Sequence, residues 1–246
     1  MVKQRIAIVG LGLIGGSLAR RLVNAGCEVI AWNHNDRPYE TAKADGIRCV
    51  STLAALADTK PDVLVLCNPL KAMPQILGAL KPLIDTDITT LTDVGSVKAM
   101  VREQVKAVGL EHCYVGAHPM AGNELSGWES SDPTLYDGAL WAITVDENTE
   151  YQRFRAVATM IVDHCSNRLI VLDDATHDRL RGTDFPHATR HFHSYDQRAG
   201  GQSQPEHRSR ARRWFMAGHD SCCANRSKPY PCNGGRGRRQ CRSVAA

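Results

Sequence analysis

The chain reads as an α/β protein built on a Rossmann-like, doubly wound parallel sheet, and three observations predict this. Short apolar runs of strand length recur every 25–30 residues, helical patterns lie between them, and the loop Gly10-Leu-Gly-Leu-Ile-Gly15 follows the first run directly. The first run is Gln4-Arg-Ile-Ala-Ile-Val9, and beyond the loop Ser17 to Gly26 has helical spacing. Glu28–Asn33, Asp62–Cys67 and Ile88–Asp93 repeat the near-continuous apolar character of strands covered on both faces. Helices are predicted between them over 37–45, 71–82 and 96–108. Tyr114–Ala117 and Ala139–Val145 read as further strands, 149–164 as a helix, and Arg168–Leu172 as a last strand before Asp173 caps a new helix.

Composition bounds what this fold can be part of. The 246 residues are 43% hydrophobic and 23% charged, which excludes disorder of the whole chain. The longest apolar stretch, Ile6 to Ala19, is interrupted by four glycines and is neither a membrane span nor a secretory signal. The formal charge of +4 hides a break. Residues 1–180 carry 17 Lys+Arg against 22 Asp+Glu, or −5, while 181–246 carry 13 against 4, or +9. After Gly182 the only Leu, Ile or Val is Val244, so the tail lacks the apolar area needed to offset ordering its backbone. Cys222, Cys223, Cys232 and Cys241 crowd that tail, whereas five cysteines are scattered singly before it, and no spacing matches a zinc site. No metal is expected, and free thiols in a reducing cytoplasm are the default reading.

The glycine loop sits where a dinucleotide site requires it, after a strand and at the opening of a helix. Gly10 permits the tight turn, Gly12 lets backbone approach a pyrophosphate, and Gly15 allows helix and strand to pack closely. Leu13 and Ile14, at the helix start, complete the cofactor loop. The second strand ends in Asn33 where NAD sites usually place an acid for the ribose hydroxyls, and Arg37 follows four residues on. A neutral Asn33 with Arg37 nearby favours NADP over NAD. Asp36 argues the other way, and the alternative for Arg37 is a solvated residue at a helix start.

In an open parallel sheet, ligands bind beyond the carboxyl ends of the strands. Three turns qualify: Cys67-Asn68-Pro69, Asp93-Val-Gly95-Ser96-Val-Lys98, and Gly116-Ala-His118-Pro-Met-Ala-Gly122. Asn68, Pro69, Asp93 and Gly95 are assigned to the cofactor. His118, in a Gly- and Pro-rich loop, is the candidate acid–base residue, and Ser96 the candidate that orients a substrate hydroxyl. The alternative for Ser96 is a helix N-cap.

Val9-Gly-Leu-Gly-Leu-Ile-Gly-Gly-Ser17, Thr92-Asp-Val-Gly-Ser-Val-Lys98 and Gly116-Ala-His-Pro-Met-Ala-Gly122, followed by Glu124-Leu-Ser-Gly-Trp-Glu129, together resemble the prephenate and arogenate dehydrogenases over about residues 4–180. The resemblance implies an N-terminal cofactor domain, here 1–172, and a C-terminal helical domain, starting at 173–181, that makes a homodimer and completes the substrate site. It implies oxidative decarboxylation in tyrosine biosynthesis, with His118 and Ser96 at the substrate's 4-hydroxyl. It also implies an Arg for the side-chain carboxylate, within a Gly-Ser-Phe/Trp-Arg-Asp-x-Thr-Arg segment that this chain lacks.

The resemblance stops within three residues of Arg179. Reading the possible codons of 182–188 one nucleotide later permits Ala-Leu-Ile-Ser-His-Met-Pro, the family's next motif. At Trp214-Phe-Met216 the shifted reading forces Gly and Trp, and 217–221 then permit Arg-Asp-Met-Thr-Arg. The reading frame is therefore expected to be displaced near codons 179–182, leaving 182–246 a basic, disordered tail without an evolved role. A metal pair at His191 and His193 or a nucleic-acid patch around Trp214 and Phe215 is the alternative for that tail. For the whole chain the competing readings are an inactive dinucleotide-binding remnant and a dehydrogenase of a hydroxy acid. A small-molecule substrate is expected, with no membrane and no specific nucleic-acid partner.

Overall fold

Apolar side chains on both faces of Arg5–Val9 place β1 at the centre of the sheet, where Ile6 to Val9 are entirely buried. In the computed structural model, which describes residues 3–183, the chain turns at Gly10 into α1 (Leu13–Asn24) and returns as β2 (Glu28–Trp32). It then forms α2 (Tyr39–Ala44), the two-residue β3 (Arg48–Cys49), α3 (Leu53–Ala57) and β4 (Val63–Leu66). A 3₁₀ turn at Leu70–Ala72 leads into α4 (Met73–Leu80), β5 (Thr90–Asp93), α5 (Lys98–Ala107) and β6 (Tyr114–His118). After two 3₁₀ turns come β7 (Leu140–Thr144), α6 (Tyr151–Thr159) continued by a π turn at Met160–His164, β8 (Arg168–Leu172) and α7 (Asp174–Thr183). The tail from residue 184 on lies outside the described residues, and with it the expected frame displacement beyond that point, the four tail cysteines, His191, His193, Trp214 and Phe215.

The eight strands form one sheet in the order β3-β2-β1-β4-β5-β6-β7-β8. β1 pairs in parallel with β2 on one side, Ile6 facing Val29, and with β4 on the other, Ile6 facing Val63. The chain therefore winds away from β1 in both directions, and the crevice between the carboxyl ends of β1 and β4 is the topological switch point. Two apolar layers cover the sheet. One, around Leu18, Leu22, Trp141 and Ile161, lies under α1 and α6; the other, around Leu64, Leu77, Leu80 and Val105, lies under α4 and α5.

The sheet departs from the wholly parallel expectation at β7, which runs antiparallel to β6, while β8 runs parallel to β7. The segment between β6 and β7 folds back over α1: Asp132 donates its backbone N–H to Ser17 Oγ (2.9 Å) and Tyr136 donates its hydroxyl to Ile14 O (2.7 Å). Gly16 makes that docking possible, since a Cβ there would lie 2.8 Å from Ser131 Cβ and 2.9 Å from Trp128 Cε3. β3 and α3 were not predicted; two strand residues and five helical ones are too few to show a period. Helix α5 starts at Lys98, two residues later than the spacing predicts, with Val97 at its N-cap, so Ser96 is not the cap. Asp173 does cap α7, accepting from Thr176 N–H (2.8 Å).

Candidate active site

The glycine loop is shaped by contacts that leave no room for side chains. Gly10 has a φ of +102°, and a Cβ on it would sit 3.1 Å from the carbonyl group of Cys67 at the end of β4. A Cβ on Gly15 would fall 2.0 Å from Gly10 O, so the first turn of α1 packs directly on the loop. At Gly12 a Cβ would meet nothing within 4 Å; the backbone there faces open space.

A dinucleotide fits this loop on the evidence of its own groups. Helix α1 begins with no side-chain cap and no acid in its first turn, so its first N–H groups and the positive end of its dipole are available to a pyrophosphate. Across the switch point, Asn68 Oδ1 is buried without a hydrogen-bond partner, while its amide nitrogen donates to Pro69 O (3.1 Å). That orphaned acceptor, on the rim of the crevice, suits a ligand donor. Leu13 is buried beneath the loop and Ile14 is half-buried.

At the end of β2, Asn33 does not offer a free amide. Its Oδ1 accepts from Leu11 N–H (2.9 Å) and its Nδ2 donates to Asn35 O (3.0 Å), tying the glycine loop to the β2 turn. The turn then presents Arg37 to solvent, its backbone N–H held by Asn35 Oδ1 (3.2 Å). Asn33 thus braces the loop at the position after β2 where the ribose is expected, and Asp36 and Arg37 are both exposed beside it.

Beyond β5, Asp93 is fully buried and engaged on both oxygens. Oδ1 accepts from Lys98 Nζ (2.6 Å) and Tyr114 OH (2.8 Å), and Oδ2 from Lys98 Nζ (2.5 Å) and Gly95 N–H (2.8 Å). Lys98 is likewise fully buried and donates to Ala117 O (2.8 Å), one residue before His118. Burial pulls the Lys98 ammonium below its ordinary pKa, and the Asp93 carboxylate opposes that fall. Burial and the adjacent Asp93 charge push the Tyr114 phenol well above its ordinary value, so it remains a donor. Asp93 therefore fixes the 93–98 turn and the end of β6. A Cβ on Gly95 would lie 2.8 Å from Asp93 Oδ2, so the turn closes only around glycine.

His118 ends β6, half-buried, beyond the carboxyl end of the strand neighbouring β5. Its Nδ1 lies 3.0 Å from Nε2 of His177 on α7, with the rings edge to face at 5.2 Å. His177 is completely buried, and its Nδ1 is 2.8 Å from Asp178 Oδ1. Asp178 also accepts the first two amides of α5, Lys98 N–H (2.8 Å) and Ala99 N–H (3.0 Å), and so fills the capping role that was the alternative reading for Ser96. Burial raises the Asp178 pKa, but the hydrogen bonds from Lys98, His177 and Ala99 outweigh it and hold the carboxyl below its ordinary value. Just past His118, Met120 adopts a φ of +45°, and this strain lies in the loop that carries the candidate base.

The structure thus groups His118 with two residues that sequence reasoning did not single out. His177 lies 59 residues away, on a helix whose spacing gave no reason to turn it inward. Lys98 was visible in its motif, but a lysine in the first turn of a polar helix reads as solvated.

The sheet order, the glycine loop at the switch point and the uncapped α1 define a dinucleotide-binding domain of the Rossmann class. Residues 18–171 match the family described as prephenate dehydrogenase, nucleotide-binding domain. The prephenate dehydrogenase of Lactococcus lactis subsp. cremoris is 27% identical over 189 residues, covering 75% of this chain and 51% of that protein. The cyclohexadienyl dehydrogenase of Zymomonas mobilis subsp. mobilis is 28% identical, covering 73% and 61%. The crystal structure of the prephenate dehydrogenase from A. aeolicus, in complex with hydroxyphenyl propionate and NAD+, superimposes with a TM-score of 0.68 at 29% identity, covering 84% of this chain and 72% of that one. The chain belongs to the prephenate dehydrogenase family through its nucleotide-binding domain, and it spans about half to three fifths of the length of these curated relatives. Among the described residues no helix is long and apolar enough to cross a membrane.

Proposed function

We propose that this site serves the oxidative decarboxylation of prephenate to 4-hydroxyphenylpyruvate in tyrosine biosynthesis, with NADP favoured over NAD as hydride acceptor and arogenate as the alternative substrate. The observation that carries the reading is a histidine at the end of β6, braced from behind by His177, beyond the strand next to the 93–98 turn and within the sheet whose switch point holds the glycine loop. A bound nicotinamide supplies the acceptor for the hydride lost from the ring carbon that bears the 4-hydroxyl. His118 accepts the hydroxyl proton as that C–O bond gains carbonyl character, and Ser96 orients the hydroxyl. The ring carboxylate leaves as CO2, and aromaticity drives the step. Exposed Arg37 beside a neutral Asn33 supports the preference for a 2′-phosphate.

A dianionic substrate needs a cation, ideally a bidentate Arg, and the family segment expected to supply it appears only when the chain beyond codons 179–182 is read one nucleotide later. As translated here, the chain is proposed to bind cofactor without turning over substrate, and 182–246 is proposed to have no role of its own. Sequencing genomic DNA across codons 175–190 and assaying the frame-restored product with prephenate and arogenate tests this. The expected result is one inserted or missing nucleotide and substrate-dependent formation of reduced nicotinamide. Absence of turnover with both substrates in the restored product contradicts the assignment.

A further inference from the structure

We infer that β8 is a docking edge for a second copy of this chain, the two copies joining antiparallel about a two-fold axis at Ile170. Which backbone groups of β8 are free follows from its pairing with β7. Arg168 N–H donates to Ala139 O (3.3 Å), and Leu172 O accepts from Val145 N–H (3.0 Å). In this parallel ladder Arg168, Ile170 and Leu172 therefore direct their backbone groups toward β7. Leu169 and Val171 direct theirs the other way, and β8 is the last strand of the sheet. Among the described residues nothing pairs with these four groups. The open stretch also has fixed ends. Asn167 N–H already donates to Ile161 O (3.1 Å), and Asp173 O accepts from His177 N–H (3.0 Å) at the start of α7. Residues 168–172 are the edge, and Ile170 is its centre.

This edge is complementary to itself. Residues of an antiparallel pair that exchange both N–H···O bonds stand directly opposite each other. With the axis at Ile170, Leu169 meets Val171 of the second copy and Val171 meets its Leu169, so every free group on both copies is paired. Moving the axis to Leu169 or to Val171 sets the other of the two opposite a residue outside the open stretch. The side chains agree with the same register. Leu169 stands opposite Val171, Ile170 opposite Ile170 and Arg168 opposite Leu172, so no like charges face each other. Val171 is 46% exposed, and the contact would cover it. Pro, Lys and bulges, which usually guard an open edge, are absent from 168–172, whereas the opposite edge, β3, is kept to two residues. β5, β6 and β7 separate β8 from the switch point, so the contact is independent of the proposed reaction and of a dimer through the helical domain.

Sedimentation velocity of the full chain under reducing conditions, over about a hundredfold range of concentration, tests this. A five-residue edge is small for an interface, so the expected result is a reversible dimer that forms as concentration rises. Val171→Pro removes an outward amide and Val171→Lys sets a charge among apolar pairs, while the bonds to β7, made by Arg168, Ile170 and Leu172, stay. Each should move the midpoint of dimerisation about tenfold or more toward higher concentration. If the proline variant does not fold, the lysine variant decides. Ile170→Cys reads the register, because at the axis the two positions form a non-hydrogen-bonded pair with Cα atoms about 4.5 Å apart, within reach of a disulfide. Mild oxidation should link the two introduced thiols, and peptide mapping distinguishes that bond from any made by native cysteines. Val171→Cys, whose copies lie on a diagonal, should link far less. A chain that stays monomeric over the whole range, a dimer unchanged in the folded Val171 variants, or linking no greater for Ile170→Cys than for Val171→Cys overturns the inference.

Discussion

His118→Ala in the frame-restored chain lowers kcat by about 10²–10⁴, the usual contribution of a general base, and leaves cofactor affinity nearly unchanged. Both halves of the expectation follow from geometry. His118 stands at the end of β6, whereas the glycine loop stands between β1 and β4, with β5 intervening in the sheet. Removing the imidazole therefore takes away the proton acceptor without disturbing Gly10, Gly12 or the start of α1. It also strips His177 of its ring partner, and a buried ring nitrogen left without a hydrogen bond costs about 1–3 kcal/mol, a loss of stability the fold should survive. Steady-state kinetics with a parallel cofactor titration check this. An unchanged kcat contradicts the role of His118, and a matching loss of cofactor affinity would make it a structural residue instead.

Lys98→Met has the largest expected effect on stability, about 3–5 kcal/mol, because it leaves the Asp93 carboxylate buried without its counter-ion. Against the ~5–15 kcal/mol that a domain of this kind commands, that is roughly a fifth or more of the whole. The damage is local to the site as well: Lys98 Nζ also donates to Ala117 O, so its loss frees the end of β6 that carries His118. Adding Asp93→Asn removes the stranded charge while keeping an acceptor for Gly95 N–H and placing the amide donor at the Tyr114 hydroxyl, which can accept it, and the double variant should recover part of the loss. Denaturant midpoints for the single and double variants read this directly. A destabilisation under 1 kcal/mol for Lys98→Met, with no recovery on adding Asp93→Asn, contradicts a buried ion pair as the brace of the site.

What the sequence made legible is local. The β1–loop–α1 unit could be read because its strand, glycine turn and helix follow one another without a break, and the contact of Gly15 with Gly10 O lies within that stretch. The strand at 63–66 announced itself by an apolar run. Other features depended on tertiary contacts that no window contains. The apolar run Leu140–Thr144 predicts a strand but carries no direction, and β7 is reversed because the preceding segment docks on α1. The amides at the start of α5 are capped by Asp178, 80 residues beyond Lys98, and not by Ser96, for which a cap was the alternative reading. The position of Asn33 after β2 was legible, but not that its side chain braces Leu11. The candidate base was found from its loop, but its contact with His177, and through it with Asp178, becomes visible only once α7 lies against α5.

The glycine loop and the uncapped start of α1 are expected to bind one dinucleotide, with Arg37 at the end of β2 setting the preference. Calorimetric titration of the full chain with NADP and NAD, repeated on Arg37→Ala, reads both properties. Saturable binding at one site is expected, with NADP tighter than NAD by about tenfold, the size of one exposed charge-assisted contact, and near parity in Arg37→Ala. Absence of saturable binding by either dinucleotide would contradict a dinucleotide site at this loop.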